Sequence, residues 1–143
     1  MEIKFASHCS YRIRYHMVFV VKYRRHMLLE QVPLEYFNSL VVGIGERYDF
    51  SFDAIGLEED HFHILVEAPP RYAPSQIMQI IKSVSARQIF KEHPKVKQFL
   101  WGGEFWSDGG HIDTVSEFGG LDVIKKYVEN QGRNKDQLKL TQF

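Results

Sequence analysis

Phe50-Ser51-Phe52-Asp53-Ala54-Ile55-Gly56-Leu57-Glu58-Glu59-Asp60-His61-Phe62-His63-Ile64-Leu65-Val66-Glu67-Ala68 carries the pattern that decides the fold of this 143-residue chain. Two runs of strand-forming residues, 50–57 and 61–68, flank the acidic turn Glu58-Glu59-Asp60 and predict a β-hairpin. In the second run Phe62, Ile64 and Val66 alternate with His61 and His63. A two-residue period sends the apolar set to one face of a sheet and both imidazoles to the other, about 7 Å apart at the backbone. Pro69-Pro70 ends the run.

Upstream, residues 11–21 alternate as another strand, with Ile13, Tyr15, Met17 and Phe19 on one side and Arg12, Arg14 and His16 on the other. Pro33 suits a first helical turn, and Leu34, Phe37, Leu40, Val41 and Ile44 recur at helical spacing, so a helix is expected over 33–47, weakened near its end by Gly43 and Gly45. Downstream, Pro74-Ser75 opens a helix with the apolar stripe Ile77, Ile80, Ile81, Val84 and Ile89. Leu100-Trp101-Gly102-Gly103-Glu104-Phe105-Trp106 feeds a fourth strand ending near Val115, and Gly119-Gly120 leads into a last helix over 121–131 that Gly132 stops. Strand, helix, strand, strand, helix, strand is the split βαβ order. The expected fold class is therefore α+β, a ferredoxin-like antiparallel sheet with helices on one face and the other face open, followed by a C-terminal helix that carries Tyr127.

The length suits one domain over residues 1–143, with a flexible lead-in near 1–10 and a polar tail over 132–143. Hydrophobic residues at 44% and charged residues at 25% exclude wholesale disorder, and no apolar stretch reaches the roughly 18 residues of a membrane span. Met1-Glu2-Ile3-Lys4 lacks a secretory apolar region, and the single Cys9 forms no internal disulfide, so the chain reads as cytoplasmic. The net charge is zero but segregated. Arg12, Arg14, Lys22, Arg24 and Arg25 form a block free of acids, and Arg71, Lys82, Arg87, Lys91, Lys95 and Lys97 face only Glu92. A polyanion responds to such local patches rather than to the sum.

His61 and His63 can converge on one ion, but a bare His-x-His is common and a third ligand is needed. Tyr127 and Gln131, four residues apart on the last helix, lie about 40° apart on the helical wheel and share one edge beside the apolar stripe Leu121, Ile124 and Val128. A hydroxyl and an amide at that edge can reach a metal site; a packing tyrosine is the bland alternative.

His61-Phe62-His63 after an acidic turn, with Tyr127 and Gln131 near the C-terminus, resembles the small single-tyrosine HUH transposases, named for the series His, bulky hydrophobe, His. Tyr15-His16-Met17-Val18-Phe19-Val20-Val21-Lys22-Tyr23-Arg24-Arg25 is similar to the family's first strand, and the Trp101-Gly102-Gly103 segment to its Trp-Gly-Gly motif. Such proteins belong to short bacterial insertion sequences that move as single-stranded DNA, or are domesticated relatives associated with palindromic repeats. The resemblance implies strand transfer through a covalent 5′-phosphotyrosine at Tyr127, assisted by Mg²⁺ or Mn²⁺ on His61, His63 and Gln131. It also implies a homodimer and a hairpin beside a single-stranded cleavage point. Arg12, Arg14, Arg24, Arg25, Lys82, Arg87 and Lys91 are candidates for DNA-backbone contacts, and Tyr23, Trp101, Phe105 and Trp106 for base stacking or, for the aromatics, core packing. Two competing readings are a noncatalytic RNA- or DNA-binding module that stacks bases on Tyr15 or Phe19, and a phosphodiesterase in which water attacks.

Overall fold

The computed structural model describes residues 2–115. The chain opens with a ribbon of β1 (Lys4–Phe5) and β2 (Ser10–Tyr11), then runs through β3 (Arg14–Val20), α1 (Leu34–Tyr48), β4 (Ser51–Leu57), β5 (His61–Glu67), α2 (Pro74–Glu92) and β6 (His111–Thr114). The four-stranded sheet has the order β4-β5-β3-β6, antiparallel throughout. This is the expected ferredoxin-like arrangement. No described helix is long and apolar enough to cross a membrane.

The predicted strand over 11–21 divides. Tyr11 pairs with Lys4 in the ribbon, Arg12 and Ile13 connect, and β3 starts at Arg14. Alternation reports a strand's two sides but not its partner, so the change of sheet at Arg12 is invisible in the pattern. The ribbon also occupies the stretch expected as a flexible lead-in.

One face of the sheet is the core. Met17 and Phe19 of β3 and Phe62, Ile64 and Val66 of β5 meet Phe37, Val41 and Ile44 of α1 and Ile77, Ile81 and Ile89 of α2, all buried. Each such side chain contributes about 1.5–3 kcal/mol on burial. Phe19 stacks on Phe62 with centroids 4.4 Å apart, and Trp106 lies 5.2 Å from Phe62 and 4.6 Å from Phe105. The Trp106 indole N–H donates to Ser85 Oγ at 2.8 Å, which satisfies its polar end inside the core. Phe105 and Trp106 are thus packing residues. The glycines of Trp101-Gly102-Gly103 take φ of 78° and 72°, a left-handed turn that L side chains resist.

Helix α1 continues through Gly43 and Gly45 to Tyr48 and closes on Asp49 in the left-handed conformation. Gly45 is there for space: a Cβ would lie 2.7 Å from the Phe50 carbonyl oxygen and 2.8 Å from Phe52 Cε2. Gly45→Ala should therefore lower stability by about 1–3 kcal/mol despite alanine's better helix propensity. A urea titration measures it, and an unchanged or raised midpoint would contradict the close approach.

Candidate active site

The pairing register decides what shares the second face of the sheet. Val20 lies opposite His61, Val18 opposite His63, His16 opposite Leu65 and Arg14 opposite Glu67. On the other side of β3, Val18 faces His111 and His16 faces Asp113. Both predicted histidines are therefore on the face away from the helices, with His16 and His111 beside them.

That face is not open at the histidines. His63 is fully buried, and His16 and His61 nearly so. The rings cover one another: His16 stacks on His63 with centroids 5.2 Å apart, and His61 meets His63 edge-on at 5.0 Å. His16 Nε2 and His63 Nδ1 are 2.9 Å apart, a bond in which one ring donates and the other accepts. Burial, followed by the neighbouring histidines, lowers the His63 pKa to about 2, and burial also lowers that of His16. Both rings stay neutral at physiological pH and keep a lone pair for a ligand or a hydrogen bond.

Asp60, expected only as a turn residue, holds His61 in place. The His61 Nδ1–H donates to Asp60 Oδ1 at 2.8 Å, while Asp60 Oδ2 accepts from Arg24 Nε at 3.3 Å. Burial opposes charge on Asp60, yet the bonds to His61 and Arg24 keep its carboxyl below the ordinary value. A carboxylate on Nδ1 selects the tautomer that presents Nε2 to a metal, the usual arrangement behind a ligating histidine. In the tautomer whose Nδ1–H donates to His16, the second ring likewise presents its Nε2. Two imidazoles on alternate positions of one strand, both on the face away from the helices, thus fit a divalent cation as two of its ligands. Among the described residues no group of three His, Cys, Asp or Glu side chains can hold a metal, and the expected partners Gln131 and Tyr127 lie outside the described residues.

The basic residues divide into exposed and internal ones. Arg12, Arg24 and Arg25 are exposed around β3, and Arg87 and Lys91 are exposed on α2. Arg14 is only 8% exposed and pairs with Asp53 and, at 3.6 Å, with Glu67. This pairing with half-buried Asp53 and buried Glu67 removes Arg14 from the exposed basic block that the sequence suggests. Lys82 is half-buried and donates to the carbonyls of Ser107 at 3.0 Å, Asp108 at 3.4 Å and Gly109 at 2.9 Å, tying α2 to the segment before β6. Of the aromatics, Tyr23 is exposed. Phe19 is buried and Tyr15 packs against the helix-covered core, which leaves little for a module that stacks bases on those two rings.

Sequence reasoning did not assign roles to His16, Asp60, His111 or Asp113. The His111 ring Nε2–H donates to Asp113 Oδ2 at 2.7 Å, a pair two residues apart on β6 that strand parity alone could have flagged. For His16 the signal exists only across strands, while Asp60 touches its neighbour His61 directly and Arg24 only through the fold.

A split βαβ sheet with paired imidazoles on the face opposite its helices is consistent with the resemblance carried by the sequence motifs, and comparison with known proteins shows the family. The family profile described as "Transposase IS200 like" matches residues 9–131. The chain belongs to this IS200-like transposase family. It is 31% identical over 131 residues to the ISDra2 transposase TnpA of Deinococcus radiodurans, covering 92% of each protein. It is 27% identical over 128 residues to the transposase for insertion sequence element IS200 of Salmonella typhimurium, covering 90% of this chain and 82% of the relative. A crystal structure of a Deinococcus radiodurans R1 chain assigned as a transposase superposes with a TM-score of 0.70 at 29% identity, over 90% of this chain and 97% of that one. A REP-associated tyrosine transposase bound to a REP hairpin gives a TM-score of 0.55 at 12% identity, over 87% and 70%, a likeness of fold.

Proposed function

We propose that the protein cleaves and rejoins single-stranded DNA at hairpin-bearing element ends, through a covalent 5′-phosphotyrosine on Tyr127. The observation that carries this reading is the His61 and His63 pair, mutually packed and braced by Asp60 and His16, in a chain of the IS200-like family. A noncatalytic module has no use for such a constellation.

The chemistry is an exchange of phosphodiesters. The Tyr127 phenol loses its proton and its oxygen attacks the scissile phosphorus. The P–O3′ bond breaks, and the departing oxygen gains a proton to become a 3′ hydroxyl. A tyrosyl–5′-phosphate bond replaces the one lost, so a 3′ hydroxyl of another end can reverse the step without ATP. Since a free phenol has a pKa near about 10, the nucleophile needs help at neutral pH. A divalent cation on His61, His63 and Gln131 would supply Lewis-acid polarisation of the phosphate and offset charge on the leaving oxygen. Mg²⁺ or Mn²⁺ is the proposed ion; these ligands would also accept zinc, so supply rather than ligand preference selects it. Asp60 and His16 keep the imidazoles oriented, and exposed Arg12, Arg24, Arg25, Arg87 and Lys91 are proposed to neutralise DNA phosphates.

The hairpin beside the cleavage point is supported by the REP hairpin carried by the REP-associated relative. The proposal includes a homodimer, because two DNA ends must be held together, and light scattering should report twice the monomer mass. The decisive test is incubation with a single-stranded oligonucleotide from the element's end and Mg²⁺, followed by denaturing electrophoresis. A protein–DNA adduct that survives denaturation is expected. Free 5′-phosphate ends without an adduct would indicate hydrolysis by water, and intact DNA would remove the catalytic reading.

A further inference from the structure

The turn after β3, Lys22-Tyr23-Arg24-Arg25, is built in a way that core packing does not require. Tyr23 and Arg24 are consecutive non-glycine residues in the left-handed region, with φ of 59° and 52°. Such a conformation persists only where the surroundings over-determine it, and it marks functional sites. Here the surroundings do so. The Lys22 N–H donates to the Phe105 carbonyl at 2.8 Å and the Arg24 N–H to the Val21 carbonyl at 2.8 Å. Lys22 Nζ pairs with Glu104 at 2.8 Å and lies 5.6 Å from the Tyr23 ring centroid, while Arg24 is held by Asp60. The result of this bracing is a phenol ring held outward, with Tyr23 60% exposed.

The turn also adjoins the histidine pair. Val20 lies opposite His61, the Val21 N–H donates to the Asp60 carbonyl at 2.8 Å, and the two Asp60 carboxylate oxygens hold Arg24 and His61 respectively. An exposed, fixed aromatic ring therefore stands beside exposed Arg25 and the carboxylate-paired Lys22 and Arg24, one residue contact away from a metal-ligand candidate.

We propose that this turn is a nucleobase platform, on which Tyr23 stacks an unpaired base of the strand whose phosphate is received at His61 and His63. The inference rests on the single-stranded DNA reading above. The occupant is a single strand rather than a duplex because a base offers its face only when unstacked, and exposed Arg25 beside the ring matches its phosphates. Stacking accepts any base, so the platform adds grip and fixes the strand without selecting sequence.

Anisotropy with labelled dT16 and an abasic oligomer of equal length tests this without knowledge of the natural target. The wild-type protein should prefer dT16. Tyr23→Ala should bind dT16 about 5- to 100-fold more weakly, with the abasic oligomer nearly unaffected and the salt dependence unchanged, because no phosphate contact is lost. Tyr23→Phe should bind like wild type, and Tyr23→Leu, similar in bulk but without an aromatic face, should behave like Tyr23→Ala, which separates stacking from a change in the turn. Binding of dT16 by Tyr23→Ala within twofold of wild type, or equal wild-type affinity for both probes, overturns the platform alone. Failure of wild type to bind either probe overturns the single-stranded DNA reading, and the platform with it.

Discussion

Tyr127→Phe should abolish covalent adduct formation, lowering it by at least about 10⁴-fold, the order lost when the nucleophile of a covalent mechanism is removed. The change deletes one oxygen and keeps the ring, so any packing role survives while the attacking atom is gone. Binding of single-stranded DNA and the urea midpoint should stay within error of wild type. This combination separates two roles that a larger truncation would merge. Were the variant to unfold, Tyr127 would be a structural residue. If a phosphotyrosine adduct formed at the wild-type rate, the nucleophile would lie elsewhere, and peptide mapping would then be directed at exposed Tyr23 and half-buried Tyr11, whose phenol is pushed above its ordinary value by burial and by nearby Glu67.

The hairpin and both helices were legible because each rests on a local period. Phe62, Ile64 and Val66 against His61 and His63 is a pattern no helix sustains, and Ile77, Ile81 and Ile89 is one no strand sustains. From the order of those elements the strand order β4-β5-β3-β6 follows, since a strand returning from α1 must leave room for its hairpin partner beside β3. The surroundings of the site were less legible. Parity places His63 on the second face but says nothing of the residue that stacks on it, because His16 is 47 positions away and meets it only once β3 and β5 pair. Asp60 reads as a turn residue for the same reason: its partner Arg24 is 36 positions distant. Lys82 and Arg14 look like surface cations in one dimension, and only three dimensions reveal the carbonyls and carboxylates that claim them. Local chemistry named the two imidazoles; the contacts that orient them, Asp60 on His61 at the turn and His16 on His63 across the strands, appear only in the fold.

Those contacts set the second large effect. His61→Ala should weaken Mn²⁺ binding by at least about 100-fold and reduce adduct formation correspondingly, since deleting a ligand exceeds the 10- to 100-fold cost of deleting the residue that orients one. Asp60→Ala falls in that lesser range, and Asp60→Asn, whose Oδ1 still accepts from the His61 Nδ1–H, should retain most of the affinity. Calorimetry with Mn²⁺ in the absence of DNA measures all three apart from turnover. Folding is a separate matter: His61 is buried beside His63, and Asp60 also accepts from Arg24, so each variant needs its urea midpoint recorded. The ordering carries the argument. Wild type binding tightest, then Asp60→Asn, Asp60→Ala and His61→Ala, is what a ligating histidine with a carboxylate behind it requires. Equal Mn²⁺ affinity in wild type and His61→Ala would leave the metal assignment without support, and Asp60→Ala binding as tightly as wild type would reduce Asp60 to a turn residue after all.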